Sequence, residues 1–244
     1  MPFGTVAQSY TPIDLNCIQF AVTGEIGVTG ERLVRPGDSA DRVCAGLRIA
    51  IIEQALPPGT RLAEDRLAAQ HQVSRTVVRA ALDRLVGEGL VERANNRSAR
   101  VATIGLEDAA DLLQVRQGLE AMVVERLAGR LSAAGERQLR THVKREEHAS
   151  SLNRPEAIRL AGEFHVLLAE LTGSAALLRF VTDVVSRSSL ILTGHARPHS
   201  SSCAVREHEA LIGWLRTGNR GAAQAGMRDH LSGVVSRAHL GKQD

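Results

Sequence analysis

Between residues 61 and 100 the apolar positions recur first at helical spacing and then at strand spacing. Val78, Ala81, Leu82 and Leu85 fall at i, i+3, i+4 and i+7, which is one stripe of a helix turned toward a core. Ser74 stands where an N-cap hydroxyl takes up a free backbone N–H, and Gly89 stands where a left-handed residue ends a helix. Arg75, Thr76, Arg79 and Asp83 occupy the other side. Residues 64–70 read as a short preceding helix and His71-Gln72-Val73 as the turn between the two. After Gly89, residues 90–93 begin a strand, Asn95-Asn96-Arg97-Ser98 supply turn residues, and 99–103 return as a second strand. The pattern predicts a helix-turn-helix followed by a hairpin wing.

Upstream, residues 1–36 show no clear period and read as a partly ordered extension, with a short strand expected near 18–22. Pro36-Gly37-Asp38 should break the chain before a helix over 39–54, whose stripe is Val43, Leu47, Ala50 and Ile51. Pro57-Pro58-Gly59 is a stop, followed by a short extended piece at 60–62. Downstream of Leu106 no strand pattern occurs. Six helices are expected, the first with Leu112, Val115, Leu119 and Val123 as its core face. Breaks fall near Gly129, Ser150, Gly173, the 198–202 loop and Gly218-Asn219, and the last helix ends near Leu240. The predicted fold is mainly α, an N-terminal winged helix-turn-helix followed by an all-α six-helix bundle. The domains are expected at 1–36 (extension), 37–104 (DNA binding) and 105–240 (effector binding and dimerisation).

Charge sharpens this picture. The net charge is only +3, but residues 66–100 hold seven arginines against Asp83, Glu88 and Glu92, so the positive field sits on the winged segment, as phosphate binding requires. Aromatic residues are 2% of the chain, which leaves the core to Leu, Val, Ile and Ala. The three cysteines, Cys17, Cys44 and Cys203, are far apart without metal or redox spacing, which fits a reducing cytoplasm. No apolar run has the length of a membrane span, and no secretory signal is evident.

On the polar side of the second helix, Arg75 and Arg79 lie one turn apart and offer forked donors to guanine edges or phosphate oxygens. Ser74 and Thr76 fix the helix end, and Arg97 and Arg100 anchor the wing. Glu64 of the preceding helix and Asn96 of the hairpin tip complete the candidate DNA-binding set.

In the helical half, three histidines sit on apolar stripes. His208 lies with Leu211, Ile212 and Leu215, His230 with Ala223, Met227, Leu231 and Val234, and His165 beside Phe164 and Leu168. Buried polar groups need partners. A divalent transition metal such as Zn or Ni, or an anionic ligand, would satisfy all three, and an open position on the metal would admit an effector. Arg116 shares the stripe of Leu112 and Leu119. Two readings apply to it, an ion pair with Glu120 at i+4 or a clamp on an effector carboxylate. Ser202, ahead of the His208 helix, is a candidate for the rim of the same pocket.

The run Leu47-Arg48 to Ile52, Leu56-Pro57-Pro58-Gly59-Thr60-Arg61-Leu62, Glu64, Leu67-Ala68, Val73-Ser74-Arg75-Thr76, Val78-Arg79, Ala81-Leu82, Leu85 and Glu88-Gly89-Leu90-Val91 resembles the winged helix of GntR-type bacterial transcriptional regulators. Val77, Ala80 and Ser98 depart from that pattern. The helical half resembles, more loosely, the effector-binding and dimerisation domain of the FadR-like branch, through Val115-Arg116, Leu119-Glu120, Phe164-His165, Glu207-His208 and His230-Leu231. The resemblance implies a metal site in which an Asp-x-x-Phe-His helix supplies an Asp and the first His. Ala161 stands at that Asp position, which leaves the ligand set one carboxylate short. It also favours the clamp for Arg116.

The expected function is a sequence-specific, DNA-binding repressor working as a homodimer on a pseudo-palindromic double-stranded operator. A small carboxylate effector in the helical domain would control its affinity, with no enzymatic activity and no membrane partner. Two alternatives are a metalloenzyme using the three histidines, which turnover of a carboxylate would reveal, and an architectural DNA-binding protein indifferent to metabolites.

Overall fold

A computed structural model of the chain describes residues 36–94, 98–152, 155–195 and 202–239. The expected strand near 18–22, the rest of the extension before Pro36, and the wing tip at 95–97 lie outside the described residues.

The DNA-binding half is built on α1 (Pro36–Ile52), α2 (Glu64–His71) and α3 (Arg75–Gly87). Val78, Ala81, Leu82 and Leu85 of α3 are fully buried, as are Val43, Leu47 and Ile51 of α1, which packs directly on α3. Each of these Val, Leu and Ile side chains contributes about 1.5–3 kcal/mol through burial. The Ser74 hydroxyl accepts the Val77 N–H at 3.3 Å and caps α3. α1 begins at Pro36 rather than Ser39, since a proline in the first helical turn forfeits no hydrogen bond. Three strands form an antiparallel sheet in the order β1 (Arg61–Leu62), β3 (Ser98–Val101), β2 (Val91–Ala94). The extended piece at 60–62 is therefore the third strand of the wing sheet, with Arg61 opposite Arg100.

Six helices follow among the described residues: α4 (Leu106–Leu127), α5 (Ala133–Ser151), α6 (Glu156–Leu171), α7 (Ala175–His195), α8 (Ser202–Thr217) and α9 (Arg220–His239). α4 packs on α7 and α9, α6 bridges α5 and α7, and α8 packs on α5 and α9. Their shared core is aliphatic apart from Phe164 and Met227, with Leu139, Leu168, Val181, Ile212 and Leu215 fully buried.

The face of α4 differs from expectation. Of the expected face Val123 is buried, Leu112 and Leu119 are half-buried and Val115 is 54% exposed, whereas Leu113, Arg116, Glu120, Val124 and Leu127 are buried. Two neighbouring stripes of this helix are apolar, and periodicity alone does not choose between them. Packing against α7 and α9 turns the buried face away from Val115 and toward Leu113, Val124 and Leu127. α8 begins two residues earlier than expected, so Ser202 opens the helix instead of ending a loop, and its side chain lies outside the described residues.

The winged helix contacts the bundle through α1 against α6 and α7. Gly89 adopts φ 69°, and a side chain there would strike the Arg187 guanidinium of α7. The left-handed φ is what favours glycine at this turn, since the Arg187 guanidinium is the end of a flexible side chain.

Candidate functional site

Arg75, Thr76 and Arg79 project into solvent from the first turns of α3. Acids of the DNA-binding half engage three arginines of this surface. Arg79 donates from Nε and Nη2 to the two oxygens of Glu64, at 3.2 and 2.7 Å. Arg75 Nε lies 3.0 Å from Asp65, and Arg93 Nη2 lies 2.7 Å from Asp83. The hydrogen bond from Arg79 holds the Glu64 carboxyl below its ordinary range. Arg100 of β3 donates to the Gly59 carbonyl at 3.0 Å, which ties the wing to the turn before β1. Asn96 and Arg97 lie outside the described residues.

Within the bundle, α6, α8 and α9 bring His165, His208 and His230 together, all buried, with one nitrogen of each within 4.8 Å of the others. Each histidine presents Nδ1 to a carboxylate. His165 meets Glu120 of α4, His208 meets Glu146 of α5 at 2.9 Å, and His230 meets Glu207 of α8 at 2.6 Å. Glu120 also accepts from Arg116 Nε at 2.7 Å, so the ion pair at i+4 is formed. Phe164 stacks on His208 with ring centroids 3.9 Å apart and fixes that ring's plane.

Electrostatics agree with this geometry. Burial raises the Glu120 carboxyl, but contact with His165 and Arg116 outweighs it and brings the pKa down to about 2. Burial pushes His165 down to about 3 and His208 well below its ordinary value, so both rings are neutral near pH 7. Glu146 is raised by burial to about 7. Where Nδ1 carries the proton and donates to its carboxylate, the Nε2 lone pair is left for the shared centre.

Two observations show that these residues fit a divalent metal. His208 Nε2 is buried with no hydrogen-bond partner among the described residues. His165 Nε2 and His230 Nε2 stand 3.2 Å apart, close to the separation of about 3.3 Å expected for two nitrogens on one tetrahedral zinc ion. Histidines oriented by carboxylates through the other ring nitrogen are the usual surroundings of such an ion. Ala161 on α6 adds no carboxylate, so the three-nitrogen set leaves a position for an exogenous ligand.

Glu146 is the site residue that sequence reasoning missed, while Glu120 was read as the partner of Arg116 and Glu207 only within the family resemblance, neither as a partner of a histidine. One signal was available. Leu139, His142, Val143, Glu146 and Ala149 recur at helical spacing and are all buried, so Glu146 sits on an apolar stripe much as the histidines do.

Residues 111–233 match the family described as FCD domain, and residues 39–101 match the one described as bacterial regulatory proteins, gntR family. The chain belongs to the GntR family. It is a DNA-binding transcriptional regulator with a C-terminal effector-binding domain. This GntR regulator is 31% identical over 130 residues to the Nta operon transcriptional regulator of Aminobacter aminovorans, across 53% of the chain and 62% of that relative's length. It is 25% identical over 194 residues to the uncharacterised HTH-type transcriptional regulator YdhC of Bacillus subtilis, across 76% of the chain and 84% of YdhC. The solved structure of McbR/YncC of E. coli shares the fold, with a TM-score of 0.74 at 19% identity over 83% of this chain and 97% of that one. These relatives are regulators, which disfavours the metalloenzyme alternative. Among the described residues, no helix is long and apolar enough to cross a membrane.

Proposed function

We propose that this GntR regulator represses its target genes as a homodimer in the cytoplasm, and that a small carboxylate bound beside the three histidines switches it. One observation carries this reading. α6 holds His165 in the buried centre and, six residues earlier, Arg159, which pairs at 2.7 Å with Glu53 at the end of α1. α1 in turn grips the recognition helix through Arg48–Glu88 and Asp41–Arg84. A ligand that favours one placement of α6 therefore acts on the mount of α3. Its leverage equals its difference in affinity between the two placements.

Residues 37–104 form the DNA-reading half in this scheme and 105–240 the half that binds effector and dimerises. Arg75 and Arg79 read guanine edges or phosphates, with Ser74 and Thr76 fixing the start of α3. Arg97, Arg100 and Asn96 secure the wing, and Glu64 yields Arg79 to the operator. In the bundle, Nε2 of His165, His208 and His230 would hold a Zn or Ni ion. When bound, that ion supplies an electrophilic position for a carboxylate oxygen. Glu120, Glu146 and Glu207 orient the rings. Arg116, held through Nε by Glu120, clamps the effector carboxylate, and Ser202, which opens α8, is the candidate rim residue.

Fluorescence anisotropy with DNA from upstream of the protein's own gene tests the scheme. The wild type and Arg79→Ala would be compared over a salt series and then screened against carboxylates with and without a chelator. The expected result is binding tighter than to random duplex at every salt, weakened about tenfold or more by Arg79→Ala, and weakened by at least one carboxylate only in metal-replete protein. Equal affinity of the wild type and Arg79→Ala for that DNA overturns the assignment of α3. Indifference to every carboxylate and to chelation favours an architectural role.

A further inference from the structure

A cavity of about 890 Å³ opens between α1 of the winged helix and α5, α6 and α7 of the bundle. That volume lies within the range of about 300–1,000 Å³ typical of small-molecule sites. The cavity is distinct from the histidine centre, because His165, His208 and His230 do not line it.

Its walls differ in character. Along α5, Arg137, Thr141 and Arg145 fall at i, i+4 and i+8 and are exposed to it. Neither Arg137 nor Arg145 forms an ion pair with any described residue. The other two arginines on the walls are already engaged, Arg48 by Glu88 and Arg159 by Glu53 and Glu163. Facing α5 are Ile49 and Ile52 of α1 and Ile158 and Val166 of α6, all only half-buried. Of the two acids on the walls, Glu163 is bound to Arg159, which leaves Glu170 against the two uncommitted arginines. The cleft therefore combines an apolar floor with surplus positive charge on one side.

We propose that this cleft is a second ligand site that takes an anionic amphiphile and ties α1 to the bundle. The head, a carboxylate, sulfonate or phosphate, pairs with the uncommitted guanidinium groups of α5. The apolar body covers the isoleucines of α1 and α6, which remain partly in water without it. Because the walls come from both domains, an occupant bridges them. The site stands independently of whether the effector of the histidine centre is a carboxylate.

The probe is 8-anilinonaphthalene-1-sulfonate, an anion with an aromatic body, titrated by fluorescence into the full chain. Arg137→Glu/Arg145→Glu reverses the charge of the α5 wall. Ala45→Trp, at an exposed position of α1 on the cavity wall, fills the space. Both changes are at exposed residues, so circular dichroism should be unchanged. His208→Ala removes the other centre. One saturable site is expected, weakened at least tenfold by the charge reversal, abolished by Ala45→Trp and unchanged in His208→Ala. Saturating probe should also slow hydrogen exchange in α1 several-fold in the wild type and not in the charge-reversed variant. The absence of saturable binding, wild-type affinity in either cleft variant, or loss in His208→Ala overturns the assignment. Unaltered exchange in α1 overturns its bridging role.

Discussion

Arg159 of α6 and Glu53, one residue beyond α1, meet at 2.7 Å across the junction of the winged helix and the bundle. The same guanidinium also engages Glu163 at 2.6 Å and Glu156 at 3.2 Å, so three carboxylates hold it. Both members of the bridge are mostly shielded, at 16% and 21% exposure, where such a contact is screened less than a surface pair.

Arg159→Gln should preserve DNA affinity and blunt the effect of ligands bound in the histidine centre. Loss of charge-assisted hydrogen bonds should lower stability by about 1.5–3 kcal/mol, read by urea unfolding. An undiminished effector response in this variant would show that coupling runs elsewhere.

In the proposed scheme Glu64, 2.7 Å from Arg79, competes with DNA for that guanidinium. Glu64→Gln frees that guanidinium and removes a negative charge from the DNA-facing side. Affinity for random duplex should rise, and the slope of log K against log salt should steepen by about one. Preference for the operator over random duplex should fall, because the added attraction to phosphate does not depend on sequence. An unchanged slope would mean that Arg79 does not reach phosphate.

Metal content is directly measurable. Protein stripped with a chelator and reloaded should hold one Zn or Ni ion per chain by elemental analysis, and His208→Ala should hold none. At a hundredfold excess over Kd, binding should stabilise the fold by about 2.7 kcal/mol, seen as a rise in Tm that the variant lacks. Identical melting curves with and without metal would refute the site.

Glu120→Gln tests the buried pair. Arg116 is 4% exposed and its hydrogen bond among the described residues is the one to Glu120. Removing the carboxylate leaves a buried cation, which should cost about 3–5 kcal/mol. Restoring an apolar stripe with Arg116→Met/Glu120→Leu should recover most of that loss and still abolish the response to a carboxylate.

His71, at the end of α2, supplies a pH test outside the metal centre. Burial lowers its pKa, and Nε2 has no hydrogen-bond partner among the described residues. The folded state thus resists a proton that the unfolded chain accepts below about pH 6.5. Its contribution is complete above that pH and declines as pH falls through 6.5 toward the lowered folded value. His71→Gln should flatten that part of the stability profile relative to wild type. Parallel profiles for the two proteins would contradict the burial argument.

Much of the molecule was legible in the chain. The α3 stripe, the Ser74 cap and the left-handed Gly89 each follow from spacing and residue type over a few positions, and all three are observed. The inward direction of His165, His208 and His230 follows from the same 3.6-residue period. The carboxylates behind them were harder. Glu120 was legible as the i+4 partner of Arg116, but its contact with His165 joins residues 45 apart in the chain. Glu146 sits in the charged run Lys144-Arg145-Glu146-Glu147, where composition suggests a solvated face.

Local spacing, caps and turn residues were enough to determine the order of the elements, the winged helix, the helical bundle and the inward histidines, because those depend on backbone geometry within a turn or two. Packing decided the rest. It chose between two apolar stripes on α4, delivered a carboxylate to each histidine from another part of the chain, and closed the cleft between α1 and the bundle. These relations depend on how helices dock, and docking is set by the fit of whole faces that no single stretch of sequence contains.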